Sequence, residues 1–223
     1  MLLIATALAG GWTLDEVEHI EVSQDCGSLR VESWPAESLH LETEGMVTQN
    51  KGRVVVTPRG CGETRVRLPE GVELRAQTQS ADVLVLGLEK ASVGTISGDI
   101  TVRATQDAQL SSVSGDIDLS VGGGTATLMT VSGDVRVKGP TTGLTVQTTT
   151  GTVVFNGRAD GPVALTSHSG DLLVTLAPDA PVTVTATSSS GDVRLAPMEA
   201  SDDASTLTLF TFSGDAVVET RSP

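Results

Sequence analysis

The sequence is poor in aromatic and basic side chains, and each shortage narrows the class of protein. Among 223 residues there are no Tyr, two Trp and three Phe, which suits a narrow interior between close walls better than a broad globular core. Lys and Arg total 14 against 28 Asp and Glu, so the formal net charge is −14. Because phosphate groups are bound through basic surfaces, we expect no nucleic-acid partner and no electrostatic docking on anionic lipids.

Long apolar runs and catalytic groupings are also missing. The apolar run in the first ten residues is too short to cross a bilayer, and no other stretch is longer, so no membrane span is expected. His19, His40 and His168 are scattered along the chain, whereas glycan-cleaving enzymes need paired carboxylates or a base beside a groove. We therefore expect a protein that is not an enzyme, with a polysaccharide-acting enzyme as the less favoured alternative.

The first residues bear on cellular location. Residues 1–11 look like the end of a secretory signal, because a short apolar run leads into Ala7-Leu8-Ala9, a small-residue cleavage motif. No Lys or Arg precedes the run, and a buried first strand is the alternative interpretation. Export would place the protein in the periplasm or at the cell surface.

The chain has two cysteines, Cys26 and Cys61, which lie 35 residues apart. In an exported chain, an even pair predicts a disulfide. Two free, buried thiols are the alternative. Without a nearby pair of histidines the two cysteines form no zinc pattern, so no cofactor is expected from them.

The dominant feature present is a repeated Ser-Gly-Asp triplet in the C-terminal two-thirds of the chain. Successive middle residues are 17 to 23 positions apart, and such a period predicts one structural unit stacked many times. Six copies match fully and two are degenerate. They are Ser80-Ala81-Asp82, Ser97-Gly98-Asp99, Ser114-Gly115-Asp116, Ser132-Gly133-Asp134, Thr150-Gly151-Thr152, Ser169-Gly170-Asp171, Ser190-Gly191-Asp192 and Ser213-Gly214-Asp215.

The residues around each triplet alternate with a period of two. Apolar residues stand seven and five positions before the middle residue and two and four after it, so each coil reads as two short strands hinged at the triplet. The Ser or Thr three positions before, and the Ser of the triplet, are predicted to point inward as a hydroxyl ladder. We expect Gly to turn the corner through a positive φ and Asp to hydrogen-bond within its own turn.

These patterns predict an all-β protein, a single-stack β-solenoid with coils of about 17–23 residues and a β-rich N-terminal cap. The chain divides into a signal-peptide remnant (1–11), a cap with first coils (12–70) and the repeat solenoid (71–223). Within the second part, residues 17–22, 29–33, 39–41, 53–56 and 65–68 read as strands. A separate ligand-binding domain is the alternative for that part. The last triplet, which ends at Asp215, is expected to form the open end of the stack.

Two sets of residues are candidate sites. Ile96, Val113 and Val131 occupy the outward position before three consecutive triplets, so they should form an exposed apolar stripe that docks a partner, contacts a second copy or packs under a loop. Asp99, Asp116 and Asp134 should form a ladder about 4.8 Å apart. A Ca²⁺ ion would relieve their repulsion, which makes calcium the one metal worth testing.

The chain resembles the bacterial putative-adhesin, or toast-rack, family of β-solenoid domains of unknown function. The resemblance begins in Gly27-Ser28-Leu29-Arg30-Val31-Glu32-Ser33-Trp34 and continues through Leu68-Pro69-Glu70-Gly71-Val72-Glu73-Leu74 and the triplet coils. It covers about residues 17–220. It implies an exported or envelope-associated solenoid with no established reaction.

The expected function is therefore that of a non-catalytic structural or interaction protein of the bacterial cell envelope, adhesin-like in character. Its regular surface would bind a protein or cell-surface component, or a second copy through the solenoid end or the apolar stripe. A divalent-cation-binding solenoid is the alternative.

Overall fold

A computed structural model describes residues 3–14, 17–35, 37–178, 181–196 and 204–221, with backbone alone for 3–14 and for residue 104. These ranges contain strands and no helix, and hence no helix long and apolar enough to cross a membrane. In chain order the strands are β1 Leu3–Leu14, β2 His19–Ser33, β3 Leu39–Asn50, β4 Arg53–Pro58, β5 Glu63–Leu68, β6 Glu73–Leu86, β7 Lys90–Thr95, β8 Ile100–Thr105, β9 Asp107–Ser112, β10 Ile117–Val121, β11 Thr125–Ser132, β12 Val135–Lys138, β13 Gly143–Thr150, β14 Val153–Gly157, β15 Val163–Ser169, β16 Leu172–Leu176, β17 Val182–Ser190, β18 Val193–Leu195, β19 Ser205–Ser213 and β20 Ala216–Thr220.

Each repeat forms one coil of the predicted solenoid. A leading strand runs up to the corner triplet, a trailing strand leaves it, and equivalent strands of adjacent coils pair in parallel. Leu128 of β11, for example, lies beside Leu110 of β9 and Val146 of β13. The leading strands thus form one wall and the trailing strands another.

The core lies between the two walls and contains the predicted inward positions. Leu128, Val146, Ile117 and Phe155 are fully buried. Burial of a side chain of this size stabilises the fold by roughly 1.5–3 kcal/mol, so the stack is held mainly by these apolar columns. The Ser or Thr three positions before the corner is also buried in seven of the eight repeats, as predicted, and Ser112 is only 6% exposed. Ser188 is half-buried.

The coils at the C-terminal end do not stack in chain order. Strand β19 pairs with both β15 and β17, and β20 pairs with both β16 and β18. The last coil of the chain therefore lies inside the stack, and the coil of β17 and β18 ends it. The expectation that the coil with Asp215 forms the open end is wrong. A longer connection permits this, because nine residues separate β18 from β19 whereas one separates β8 from β9.

The N-terminal end is also out of chain order. Strand β2 bends through a corner and pairs in parallel with β6 along both limbs, while β4 and β5 pair with its other edge. Strand β3 runs antiparallel to β4 and β5, and β1 runs antiparallel to β3. The segment 12–70 thus supplies coils of the same stack, and its pairing with the repeats runs across the expected boundary at 70.

The expected signal remnant falls partly in this region. Residues 3–11 belong to β1, and residues 1 and 2 lie outside the described residues. Export stays a prediction.

Candidate functional site

The corner carboxylates connect adjacent coils. The Asp99 N–H donates to Oδ1 of Asp82 at 3.0 Å, Asp116 N–H to Oδ1 of Asp99 at 2.9 Å, and Asp134 N–H to Oδ1 of Asp116 at 2.8 Å. The expectation that each Asp bonds within its own turn is therefore wrong. At the corner the chain leaves the regular ladder, so the Asp side chain supplies the acceptor that the amide would otherwise lack.

The proposed calcium ligands Asp99, Asp116 and Asp134 are members of this corner ladder. No group of three or more His, Cys, Asp or Glu that could hold a metal occurs among the described residues. The Arg136 guanidinium lies 3.0 Å from Asp134 and 3.6 Å from Asp116, so a side-chain cation already offsets two of the charges. Calcium binding stays a prediction that this arrangement does not favour.

The corner glycines are required by the close approach of neighbouring coils. A Cβ added to Gly115 would lie 2.0 Å from the carbonyl oxygen of Gly98, and one added to Gly98 would lie 2.1 Å from that of Ala81. A positive φ occurs at Gly151 (136°) and Gly214 (145°), but Gly98 and Gly115 are not among the positive-φ glycines. The predicted need for a positive φ therefore holds at some corners, whereas the close approach of the neighbouring coil applies to all four of these glycines.

The triplet serine points outward, contrary to the predicted inward ladder. Ser97 and Ser114 are exposed, and the Ser114 hydroxyl donates to the carbonyl of Ile96 in the preceding coil at 3.1 Å. The inward hydroxyl is the one three positions before the corner. Ser112 Oγ, for example, accepts the Gly115 N–H at 2.7 Å.

The two cysteines occupy serine positions of two further corners. Cys26-Gly27-Ser28 is in register with Ser80-Ala81-Asp82, and Ser28 is in register with Glu63, which follows Cys61-Gly62. A disulfide joins Cys26 to Cys61, with the Cα atoms 4.7 Å apart. A signal for the Cys26 corner was present, because Gly27 has the repeat's apolar spacing. The residues are Ile20, Val22, Leu29 and Val31.

The leading strands present a continuous outward surface without charged side chains. It comprises the residues six, four and two positions before the corner glycine in the coils that begin with β7, β9, β11, β13, β15, β19 and β17, and none of them is Asp, Glu, Lys or Arg. We call it the uncharged face. In stack order its residues are Ser92, Gly94, Ile96, Gln109, Ser111, Val113, Thr127, Met129, Val131, Thr145, Gln147, Thr149, Ala164, Thr166, His168, Thr208, Phe210, Phe212, Thr185, Thr187 and Ser189.

The predicted stripe lies on this face. Ile96, Val113 and Val131 are 53%, 47% and 50% exposed and belong to consecutive coils. Met129 and Phe210 add large exposed apolar side chains to the same face. Sequence reasoning missed these two because they stand four positions before the corner, an outward column that the stripe did not include.

A second apolar group forms where the last coil is inserted. His168 of β15 stacks on Phe212 of β19, with ring centroids 5.2 Å apart and planes 6° apart. Phe210 lies beside Thr166 in the same strand pair. A shallow depression separates these rings from Met129 and is lined by hydroxyl and amide side chains that include Gln147.

The trailing strands present a different surface. Their outward positions mix both signs of charge, so the absence of charge is specific to the uncharged face. The charged residues there are Arg103, Asp118, Arg136, Lys138, Arg194 and Glu219. Asp118 lies in register with Arg136.

Charges also mark one margin of the uncharged face, at the start of the leading strands. Lys90 Nζ lies 3.0 Å from Glu73 Oε1, and this contact lowers the pKa of Glu73 and raises the pKa of Lys90. The Asp107 carboxylate accepts the Thr125 hydroxyl at 2.8 Å and the Thr125 N–H at 3.1 Å, which lowers the pKa of Asp107.

Solved structures similar to this chain include the following three. A Bacteroides fragilis protein named a putative adhesin is 10% identical with a TM-score of 0.56, and the match covers 99% of this chain and 97% of that one. A Parabacteroides merdae putative adhesin is 13% identical (TM-score 0.43, 99% and 96% covered). A Parabacteroides distasonis putative lipid binding protein is 9% identical (TM-score 0.39, 95% and 97% covered). The first similarity shows a shared fold.

A sequence-based comparison is more specific. No curated protein matches the chain. The family model of Toastrack DUF4097 matches residues 40–219, which is most of the chain and includes every triplet coil. The chain therefore belongs to the Toastrack DUF4097 family.

Proposed function

We propose that this chain is a non-catalytic, adhesin-like protein of the bacterial envelope that binds a protein or other cell-surface component through the uncharged face. The observation that carries the proposal is the exposure of Ile96, Val113, Met129, Val131, Phe210 and Phe212 on a face without charge, in a chain of net charge −14. Contiguous exposed apolar side chains are typical of interaction sites.

The physical properties of the face favour binding. Apolar and hydroxyl side chains lose little on desolvation, whereas an unpaired buried charge would be costly. Backbone ladders hold the strands on both sides from β7 to β19, so the face is already ordered before a partner arrives.

Two further observations support a binding role over a catalytic one. The three histidines lie in different settings, with His19 3.2 Å from Glu73, His40 3.4 Å from Glu42, and His168 stacked on Phe212. The Bacteroides fragilis protein that shares the fold is named a putative adhesin.

A binding assay with paired variants tests the proposal. The full chain is mixed with the envelope fraction of the producing organism, and the bound share is measured by sedimentation. Val113→Asp with Val131→Asp places two charges on the uncharged face and should weaken binding at least tenfold. Because the face carries no charge, binding of the wild-type chain should change little between low and high salt.

The matched control is Val154→Asp with Leu173→Asp. These residues are outward neighbours on the trailing strands β14 and β16, so the same charge is added to the other wall. The control should bind like the wild type. Equal losses in both variants, or binding that salt abolishes, would contradict the use of this face.

A further inference from the structure

The coil of β17 and β18 ends the stack with its backbone edge uncovered by any described strand. Strand β17 pairs with β19, and β18 pairs with β20, each along one edge. Interior strands such as β11 pair along both edges. Unpaired strand edges readily accept a further strand.

Side chains that are buried in other coils are exposed in this one. Val193 and Leu195 are 42% and 47% exposed, whereas their register partners Ala216 and Val218 are at most 1% exposed. On β17, Ala186 is only partly buried, and its partner Leu209 is 1% exposed. The core of the solenoid is therefore partly open at this end.

Strand β17 itself lacks the devices that usually prevent edge pairing. Strand β17, from Val182 to Ser190, contains no charged residue, no Pro and no Gly, and it is rich in Val and Thr. The nearby charges Asp192 and Arg194 lie 3.0 Å apart and offset each other. They are the charged side chains of residues 181–196, the described part of this coil, so within that part the β17 strands of two acidic copies could meet without like charges between them.

We propose that two copies of this chain associate through this end, with β17 of one copy antiparallel to β17 of the other. A partner coil of the same kind supplies what the end coil lacks, an apolar inner surface for Val193 and Leu195 and backbone groups for the free edge. A twofold axis perpendicular to the walls continues both walls into the second copy. Such a contact is self-complementary and closed, so it yields a dimer and no filament.

This inference is independent of the proposed function and adds to it. The end coil occupies the dimer contact, while the stripe of Ile96, Val113 and Val131 stays exposed on each copy. The same twofold axis keeps both uncharged faces on one side. Two linked faces would strengthen attachment to a surface that bears many partners.

Light scattering coupled to size-exclusion chromatography tests the dimer. The wild-type chain should show twice the monomer mass at tens of micromolar and move towards the monomer on dilution. Thr185→Lys with Thr187→Lys places like charges on the exposed outward positions of β17, where two copies would meet, and should give the monomer mass at every concentration. A wild-type chain that is monomeric throughout, or whose mass keeps rising with concentration, would overturn the proposal.

The matched control is Gln109→Lys with Thr127→Lys, which adds the same charges to exposed positions of the interior strands β9 and β11. This variant should remain dimeric. Thermal melting checks that each variant is folded, and amide exchange in the wild type gives a second readout. Exchange of the β17 amides should slow as concentration rises, and equal exchange would count against the contact. Val113→Asp with Val131→Asp should leave the mass unchanged, so this result and the envelope assay can fail separately.

Discussion

The two ends of the coil stack differ in how far they are covered. At the N-terminal end the coil of β4 and β5 lies outside β2, and the Cys26–Cys61 disulfide joins the two corners. Strands β3 and β1 then cover that coil, so Val54, Val56 and Val66 are fully buried. At the C-terminal end the coil of β17 and β18 has no described strand beyond it.

The difference shows that a regular repeat does not determine how its ends are treated. Both end coils are out of chain order and follow the same corner register, yet one is covalently tied and covered while the other exposes Val193 and Leu195. An uncovered strand edge promotes unwanted pairing in a monomer, whereas in an assembly the same edge provides the contact between copies. Substitutions in covered and uncovered coils sharpen this contrast, and the largest expected effect is that of the disulfide.

Removal of the disulfide at the covered end should give the largest loss of stability. Cys26→Ser with Cys61→Ser frees a loop of sequence separation 35, and chain entropy predicts a loss of about 3–4 kcal/mol in the free energy of unfolding. Urea denaturation followed by circular dichroism measures it. Wild-type protein in strong reductant serves as the control and should lose a similar amount, and a loss in neither case would contradict the structural role.

Substitution of a corner glycine should cost more inside the stack than at its open end. Gly170→Ala would place Cβ 2.1 Å from the Gly151 oxygen, and neighbouring coils on both sides resist a shift, so a loss of roughly 2–3 kcal/mol is expected. Gly191→Ala meets the Gly214 oxygen at the same 2.1 Å and from a similar φ (159° against 154° at Gly170), but its coil can move outward. Urea midpoints should therefore fall clearly less for Gly191→Ala. Equal losses would mean that the end coil is as confined as an interior one.

Removal of a corner carboxylate should likewise cost more stability inside the stack than at its open end. Asp116→Ala removes the acceptor of the Asp134 N–H and leaves that donor without its partner, at a cost of about 1–2 kcal/mol. Asp192 lies at the open end, where its carboxylate contacts Arg194 in an exposed pair worth roughly 0–1 kcal/mol. Chemical denaturation of Asp192→Ala should show little change. A larger loss for Asp192→Ala would refute the intercoil role of the ladder.

The smallest expected effect is on the pH dependence of stability, through the pKa of Asp107. The Thr125 hydroxyl and N–H lower the pKa of Asp107 in the folded state, so this contact stabilises the protein above the unfolded pKa of about 3.9 and is lost as pH falls through the lower folded value. A carbon-detected NMR titration should find the Asp107 pKa below that reference. Thr125→Val keeps the N–H and removes the hydroxyl, so it should raise the Asp107 pKa part of the way. An unchanged pKa would rule out the hydroxyl as a cause.

Much of the coil could be predicted from the sequence because its determinants are local. Alternation around each triplet identified the inward residues such as Leu128 and Phe155, and outward parity identified Ile96, Val113 and Val131 as exposed. The disulfide corners were missed because Cys26-Gly27 keeps the spacing but not the letters of the triplet. Cys61-Gly62 keeps neither, since the buried Val54 and Val56 stand eight and six positions before Gly62. The role of the corner glycine was misjudged because close approach between coils is a property of the stack.

The candidate site could be predicted only in part. In a stack that followed chain order, His168 would lie beside Ser189, and Phe212 would lie one coil further away. The insertion of the last coil brings His168 and Phe212 to 5.2 Å. No local sequence pattern predicts which coils are neighbours, since every coil has the same alternation of inward and outward residues and can pair with any other coil.

The sequence by itself determined the solenoid, its inner columns and the exposure of the stripe of Ile96, Val113 and Val131, because alternation and spacing act within one coil. Only the tertiary structure decided which coils are neighbours, where the aromatic side chains meet and which coil is left at the open end. Strand pairing between coils depends on backbone groups that all coils share. Chain connection lengths and the covering of each edge therefore select the order.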